Sequence, residues 1–284
     1  MRQLVCSILF TLPLTLLATQ SLQAEEKPLT LIVMDPLAAP LSCPCVEGYA
    51  QRKYEALAEH LEKSLGRDVQ LVFAQALSAG LKETDSKADL IIGKDSVVRA
   101  DAAAEKMRVT PLAQLTDKAG STKQHGLIVV NKADPAQAVE DLNGYTIIFG
   151  PSEAAEKHSA ALDLLKSARV SIPKTLHIDE ACSDGACKVI DLGPKSKAAA
   201  VISSYAQPLL EGCGTIRKGD LRVVGQTKPV PFITAFANSS LSETDQTRVK
   251  EAMLSVKENP ELLDALESLI GFLSCEDSVV AKKK

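Results

Sequence analysis

Two cysteines separated by a single proline, Cys43 and Cys45, are the most unusual local feature of this 284-residue chain. Thiolates at this spacing can bind copper or zinc, join in a strained disulfide, or pair separately with distant cysteines. The spacing alone therefore leaves disulfide, metal and redox chemistry open. The full set of disulfide candidates is Cys43, Cys45, Cys182, Cys187, Cys213 and Cys275.

The first residues predict export. A basic residue, Arg2, precedes an apolar run from Leu4 to Leu17, and Ala24 is followed by polar residues. The run is too short to span a bilayer, so we expect residues 1–24 to be a cleaved signal peptide and the mature protein to lie in the periplasm. Cleavage removes Cys6 and leaves an even number of cysteines in an oxidising compartment, which favours disulfides over metal or redox chemistry.

Sequence patterns typical of catalysis are absent. The chain has no Gly-x-Ser-x-Gly, Walker-type or Rossmann glycine pattern, and no serine comes with an obvious histidine and aspartate. His158 lies near Glu153 and Glu156, but a spacing of five residues places Glu153 and His158 on different faces of a helix. We therefore expect no enzyme activity and no cofactor, and the sequence leaves metal binding open.

Composition excludes one class of partner. The formal net charge is −4, and the only basic cluster is the terminal Lys282–Lys284, so nucleic acid is not an expected partner. With 45% hydrophobic residues the chain can bury a proper core. We expect a monomer that binds a small molecule.

Short apolar strands alternate with amphipathic helices, which predicts parallel sheets covered by helices. The first strand is predicted over 29–34, and a helix from about residue 50 is predicted to end at Gly66. Asp95 or Ser96 is predicted to cap the helix that follows a strand at 89–92. After Pro135 a second series begins, with a helix predicted over about 152–168.

Four stretches resemble the phosphate/phosphonate-type substrate-binding proteins of ABC transporters. They are AQAVEDLNGYTIIFG (136–150), EKHSAALDLL (156–165), AAVISSY (199–205) and LRVVGQTKPVPFITAFA (221–237). The resemblance implies a two-lobed α/β protein with the type II periplasmic binding fold. Each lobe would be a mostly parallel sheet covered by helices, and two crossing strands would form the hinge. Lobe one would comprise residues 25–128 and 227–284, and lobe two residues 129–226.

In this fold the ligand lies between the lobes, at the carboxyl ends of strands where helices begin. Each candidate ligand-binding residue therefore follows a predicted strand. In lobe one the candidates are Asp35, Lys94, Asp95 and Ser96. In lobe two they are Ser152, Glu153, Ser183, Asp184, Ser203, Ser204 and Tyr205.

The ligand class stays open between an oxyanion and a cationic or metal-containing molecule. Phosphonate binders of the family carry a Ser-Thr-Ser-Gly turn where this chain has Gly150-Pro151-Ser152-Glu153-Ala154. A carboxylate there suits a helix dipole but takes the place of an oxyanion. The leading functional hypothesis is a solute receptor for an ABC permease. The alternatives are an accessory or sensor protein of the same fold, and a thiol redox or metal-handling protein that uses Cys43 and Cys45.

Overall fold

The computed structural model describes residues 27–43, 46 and 50–275. The predicted signal peptide, Cys45 and the terminal lysine cluster lie outside the described residues. The described chain forms two main sheets and a two-stranded connection between them.

The first sheet has six strands and is mixed. In spatial order the strands are β13 (Phe272–Ser274), β4 (Val109–Leu115), β12 (Ile233–Asn238), β3 (Leu90–Lys94), β1 (Leu29–Met34) and β2 (Val69–Phe73). β1 pairs in parallel with β2 and β3, whereas β12 returns antiparallel between β3 and β4. We call this sheet and its helices lobe one.

The second sheet has five strands and is also mixed. Its order is β10 (Leu221–Gln226), β6 (Gly126–Asn131), β9 (Ala198–Ser203), β7 (Thr146–Phe149) and β8 (His177–Ile178). β7 pairs in parallel with β8 and β9, and β6 runs antiparallel to β9 and β10. This sheet and its helices are lobe two. Two short strands, β5 (Lys123–Gln124) and β11 (Val230–Pro231), pair antiparallel where the chain crosses between the lobes.

Helices cover both faces of each sheet. They are α1 (Tyr54–Leu65), α2 (Leu77–Glu83), α3 (Asp95–Ala104), α4 (Ser159–Ser167), α5 (Cys182–Leu192), α6 (Ala206–Gly212), α7 (Glu243–Leu254) and α8 (Pro260–Ala265). Helices α1, α7 and α8 share one core with lobe one's sheet, and α2 and α3 share the other. In lobe two, α4 and α5 occupy opposite faces in the same way.

Alternation of side chains explains why β1 is buried throughout. Leu29, Leu31 and Val33 face the core formed with α1, whereas Ile32 and Met34 face the core formed with α2 and α3. A strand that is covered on both faces is expected to be continuously apolar. α1 packs through apolar residues three and four apart and ends at Gly66, whose φ of 65° is in the left-handed region that favours glycine.

The α/β fold class is confirmed, and the structure corrects several details. We predicted mostly parallel sheets, but both sheets combine parallel and antiparallel pairings because the crossing strands return in the opposite direction. α4 begins at Ser159, not near Ser152, because residues 151–158 form turns. α3 begins at Asp95 itself, and neither Asp95 nor Ser96 is its N-cap, which is Lys94.

The closing helices follow their predicted start signals. Ser242 caps α7 by accepting a hydrogen bond from the Asp245 amide, and Pro260 is the first residue of α8. Among the described residues, no helix is both long enough and apolar enough to cross a membrane. The predicted lobe boundary after residue 128 falls within β6, and the division of the chain at residues 128 and 226 stays a prediction.

Candidate functional site: the interlobe cleft

A cleft of about 400 Å³ lies between the lobes and has mostly apolar walls. Lobe one contributes Met34 and Lys94 from the ends of β1 and β3, and lobe two contributes Tyr205, which follows β9. The cleft thus opens at the carboxyl ends of strands, where open α/β sheets bind their ligands. Its polar and charged lining side chains include Gln75, Glu153, Lys157, Glu180 and Ser183.

A buried ion pair joins the two lobes beside this cleft. Lys94 Nζ from lobe one donates a hydrogen bond to Glu156 Oε1 from lobe two. Ser203 Oγ donates to the same oxygen at 2.7 Å. The Glu156 side chain is fully buried, and its second oxygen, Oε2, has no hydrogen-bond partner among the described residues.

Burial and pairing act in opposite directions on the two charged groups. Burial by itself lowers the pKa of Lys94, but Tyr205 and Glu156 raise it, and the net pKa lies above its ordinary value. Burial by itself raises the pKa of Glu156, but the ammonium of Lys94 and the hydrogen bonds from Lys94 and Ser203 hold it below its ordinary value. Both groups are therefore charged at neutral pH.

Close backbone packing places Glu156 in this position. A Cβ atom at Gly126, the first residue of β6, would lie 1.9 Å from the carbonyl oxygen of Glu156, so only glycine fits there. The Gly150 amide donates to the Lys157 carbonyl at 3.2 Å, which folds the turn of residues 151–158 back onto the end of β7. Lys157 Nζ then reaches the Glu180 carbonyl at 2.8 Å.

Ser96 makes a second contact between the lobes. Its Oγ donates to the Glu153 carbonyl at 2.7 Å and accepts from the Ala155 amide at 3.1 Å. The hydroxyl of Ser96 thus binds the turn of lobe two rather than an amide of its own helix. This is why the prediction that Ser96 caps α3 is wrong.

Two stacked aromatic rings lie beside the cleft, and of the two Tyr205 lines it. The rings of Tyr205 and Phe232 stack with centroids 5.1 Å apart, which joins the end of β9 to the crossing segment before β12. Lys94 Nζ lies 5.7 Å from the Tyr205 centroid, and Arg52 Cζ lies 5.4 Å from that of Phe232. Both distances suit a cation–π contact.

Asp35 is held by lobe one alone. Its Oδ2 accepts from Arg52 Nη1 at 2.8 Å and from Tyr54 Oη at 2.7 Å, and its Oδ1 accepts from the Leu37 amide at 2.9 Å. Asp35 is fully buried and does not line the cleft, although its neighbours Met34 and Pro36 do. These contacts fasten the end of β1 to the residues before and at the start of α1.

Comparison with known proteins decides the family. A model of the periplasmic substrate-binding proteins of phosphonate ABC transporters matches residues 48–279. The chain belongs to this family. None of the curated proteins compared with the chain matches it.

Several solved structures share the fold of this chain. A binding protein component of an ABC phosphonate transporter from Pseudomonas aeruginosa is 14% identical, with a TM-score of 0.65 over 91% of this chain and 85% of that one. PhnD1 from Prochlorococcus marinus, in complex with methylphosphonate, is 15% identical, with a TM-score of 0.62 over 90% and 98%. XAC2383 from Xanthomonas citri, bound to ATP, is 15% identical, with a TM-score of 0.63 over 90% and 95%.

The predicted ligand-binding residues of this phosphonate-family protein fall into distinct environments. Those lining the cleft are Lys94, Glu153, Ser183 and Tyr205. Five others make contacts within the protein. Asp35 accepts hydrogen bonds from Arg52 and Tyr54, Asp95 pairs with Arg99 at 2.8 Å, and Ser96 binds the turn of the other lobe. Ser203 donates to Glu156, and the Ser204 amide donates to the His125 carbonyl at 2.8 Å. Ser152 and Asp184 are exposed and do not line the cleft.

Sequence reasoning missed Glu156, which makes the central charged contact. We considered Glu153 as the carboxylate that takes the place of an oxyanion, because we predicted that a helix begins near Ser152. The stretch that resembles the family begins at Glu156, and this was the available signal. Phe232 was missed as well, although it directly follows the Pro-Val-Pro stretch of the crossing segment.

Three cysteines, Cys43, Cys182 and Cys213, line the cleft. Cys182 Sγ accepts a hydrogen bond from the Ser203 amide at 3.3 Å, and Cys182 and Cys187 are free thiols. Burial raises the pKa of Cys187, and Asp191 and Asp184 add to the shift. Disulfide formation by most of the mature cysteines stays a prediction, because Cys45 lies outside the described residues.

Within the described residues, no group of three histidine, cysteine or acidic side chains is arranged to hold a metal ion.

Proposed function

We propose that this protein is an exported receptor that captures a small ligand between its lobes and presents it to the permease of an ABC importer. The lobes would be divided at the paired strands β5 and β11, and closure about this hinge would enclose the ligand. The protein would bind its ligand without transforming it. Residues 1–24 would direct it to the periplasm, where it would act as a monomer.

The observation that carries the proposal is that both lobes line one cleft. Lys94 comes from the end of β3 in lobe one, and Tyr205 comes from the end of β9 in lobe two. The volume of about 400 Å³ falls within the range of about 300–1,000 Å³ that is usual for small-molecule sites. The mostly apolar walls favour a compact ligand with few polar groups.

Native mass spectrometry of the protein purified from its own periplasm tests the proposal. We expect an additional mass of a small molecule that is lost on unfolding. Returned at a hundredfold excess over its Kd, that molecule should raise the free energy of unfolding by about 2.7 kcal/mol. Protein that carries no such mass, and that no periplasmic extract stabilises, would contradict the proposal.

Substitutions then locate the site. Lys94→Ala and Tyr205→Phe should each weaken binding of the recovered molecule by about 1–3 kcal/mol in calorimetry. Ser152→Ala is the matched control, because Ser152 is exposed and does not line the cleft. Unchanged affinity in both cleft variants would show that the ligand binds elsewhere.

A further inference from the structure

The contacts of Glu156 are those that a bound oxyanion would make. One carboxylate oxygen accepts from the ammonium of Lys94 and from the hydroxyl of Ser203, and the other is buried with no hydrogen-bond partner among the described residues. An ammonium and a hydroxyl that converge on one oxygen form a typical binding arrangement for carboxylate, phosphate or phosphonate groups. Here the anion is part of the chain.

The carboxylate also joins the same elements that a ligand would join. Lys94 ends β3 of lobe one, whereas Ser203 ends β9 and Glu156 precedes α4, both in lobe two. Lys94 lines the cleft, while Glu156 and Ser203 lie behind its wall. The contact thus occupies the ammonium of Lys94, which faces the cleft from lobe one.

An external anion competes poorly with a tethered one. Glu156 is held against Lys94 by the closely packed turn at Gly126, so its effective concentration there exceeds the millimolar level typical of flexible tethers. An anion that approached Lys94 without displacing Glu156 would meet its negative charge, and like charges at one site oppose each other. The remaining charged side chains that line the cleft are Lys157, Glu153 and Glu180, which add no excess of positive charge.

We propose that Glu156 is a built-in replacement for an oxyanion ligand and is the specificity-determining residue of the cleft. It excludes phosphonate, phosphate and other oxyanions from Lys94 and Ser203, and the cleft instead receives neutral or cationic ligands. This inference rests on the proposed function for the identity of the cleft as the capture site.

Removing the tethered carboxylate should create oxyanion binding. We would titrate the mature protein and its Glu156→Ala variant with methylphosphonate, inorganic phosphate and formate in a calorimeter. The wild type should bind none of them at millimolar concentrations. The variant should bind at least one of them about 10-fold to 100-fold more tightly than the wild type, because Lys94 and Ser203 regain a charge-assisted partner.

Two matched variants separate pairing from general charge. Glu153→Ala removes a carboxylate that lines the cleft but does not contact Lys94, and it should gain much less oxyanion affinity. Lys94→Ala combined with Glu156→Ala should lose the gain. An equal gain in Glu153→Ala and Glu156→Ala, or a gain that survives removal of Lys94, would overturn the proposal.

Folding is monitored in parallel. Formate should raise the melting temperature of Glu156→Ala and leave that of the wild type unchanged, since formate fits the space that the carboxylate leaves. If Glu156→Ala does not fold, the wild type still decides, because micromolar binding of methylphosphonate or phosphate by the wild type contradicts the proposal.

A recovered periplasmic ligand that is a phosphonate would contradict this inference and leave the receptor function intact. Absence of any periplasmic ligand would contradict the receptor function, while oxyanion binding by Glu156→Ala would still support the role of Glu156.

Discussion

Two buried carboxylates, Asp35 and Glu156, have partners of similar chemistry, but only Glu156 pairs with a residue of the other lobe. Each pairs with a cation and accepts a bond from a hydroxyl group. The partners of Asp35 all belong to lobe one, and both of its oxygens accept hydrogen bonds. Glu156 is paired across the lobes, and one of its oxygens has no partner among the described residues.

The difference separates a structural role from a functional one. A buried charge that is fully paired within one lobe stabilises that lobe whatever the cleft does. A buried charge that is paired across the lobes instead favours the arrangement in which the lobes meet, because closure would return the tethered Glu156 to Lys94 in place of an external anion. We therefore expect substitutions at Asp35 to affect folding alone, and substitutions at Glu156 to affect closure and ligand choice as well as stability.

The largest expected effect is on folding. Asp35→Ala should lower the free energy of unfolding by about 3–5 kcal/mol in urea denaturation, because it leaves the buried guanidinium of Arg52 without its counterion. Glu59→Ala is the control, since the pair of Glu59 with Lys63 is exposed and should contribute less than about 1 kcal/mol. Equal losses in the two variants would contradict a structural role for Asp35.

A smaller effect, dependent on pH, is expected at Glu156. Because its folded pKa lies below the ordinary value of about 4.3, the ionised form stabilises the native state at neutral pH. Glu156→Gln should therefore be less stable than the wild type by about 1.5–3 kcal/mol at pH 7. The difference should persist down to about pH 4.3 and shrink as the pH falls through the folded pKa. Lys94 remains protonated over this range because its pKa is raised.

Urea denaturation of both proteins from pH 7 to pH 3 measures this difference. A stability difference that stays constant over the whole range would mean that the ionised carboxylate of Glu156 does not stabilise the native state.

The smallest effect is expected at Ser96, which joins the lobes without charge. Ser96→Ala removes two hydrogen bonds across the cleft and should shift the equilibrium towards the open form by about 1 kcal/mol. Small-angle X-ray scattering should show a larger radius of gyration for this variant than for the wild type. Ser152→Ala, at an exposed position of the same turn, should leave the radius unchanged, and identical behaviour of the two variants would exclude a role for Ser96 in closure.

The sequence by itself determined the features that depend on neighbouring residues. The apolar run of β1, the helical spacing and Gly66 of α1, and the caps of α7 and α8 are local patterns. Placing Lys94 and Tyr205 at strand ends required only the strand assignments and the family resemblance. Such predictions succeed because hydrophobic periodicity and capping are decided within a few residues.

Only the tertiary structure decided which of these residues meet. Lys94 and Glu156 are separated by 62 residues and Ser96 and Glu153 by 57, and no local pattern encodes either contact. The late start of α4 at Ser159 depends on the same packing, because the turn before it is held by close approach to Gly126 and by the ion pair with Lys94. The sequence pattern identified Glu153 as a carboxylate near the cleft. Burial against lobe one determined that Glu156, and not Glu153, makes the charged contact with Lys94.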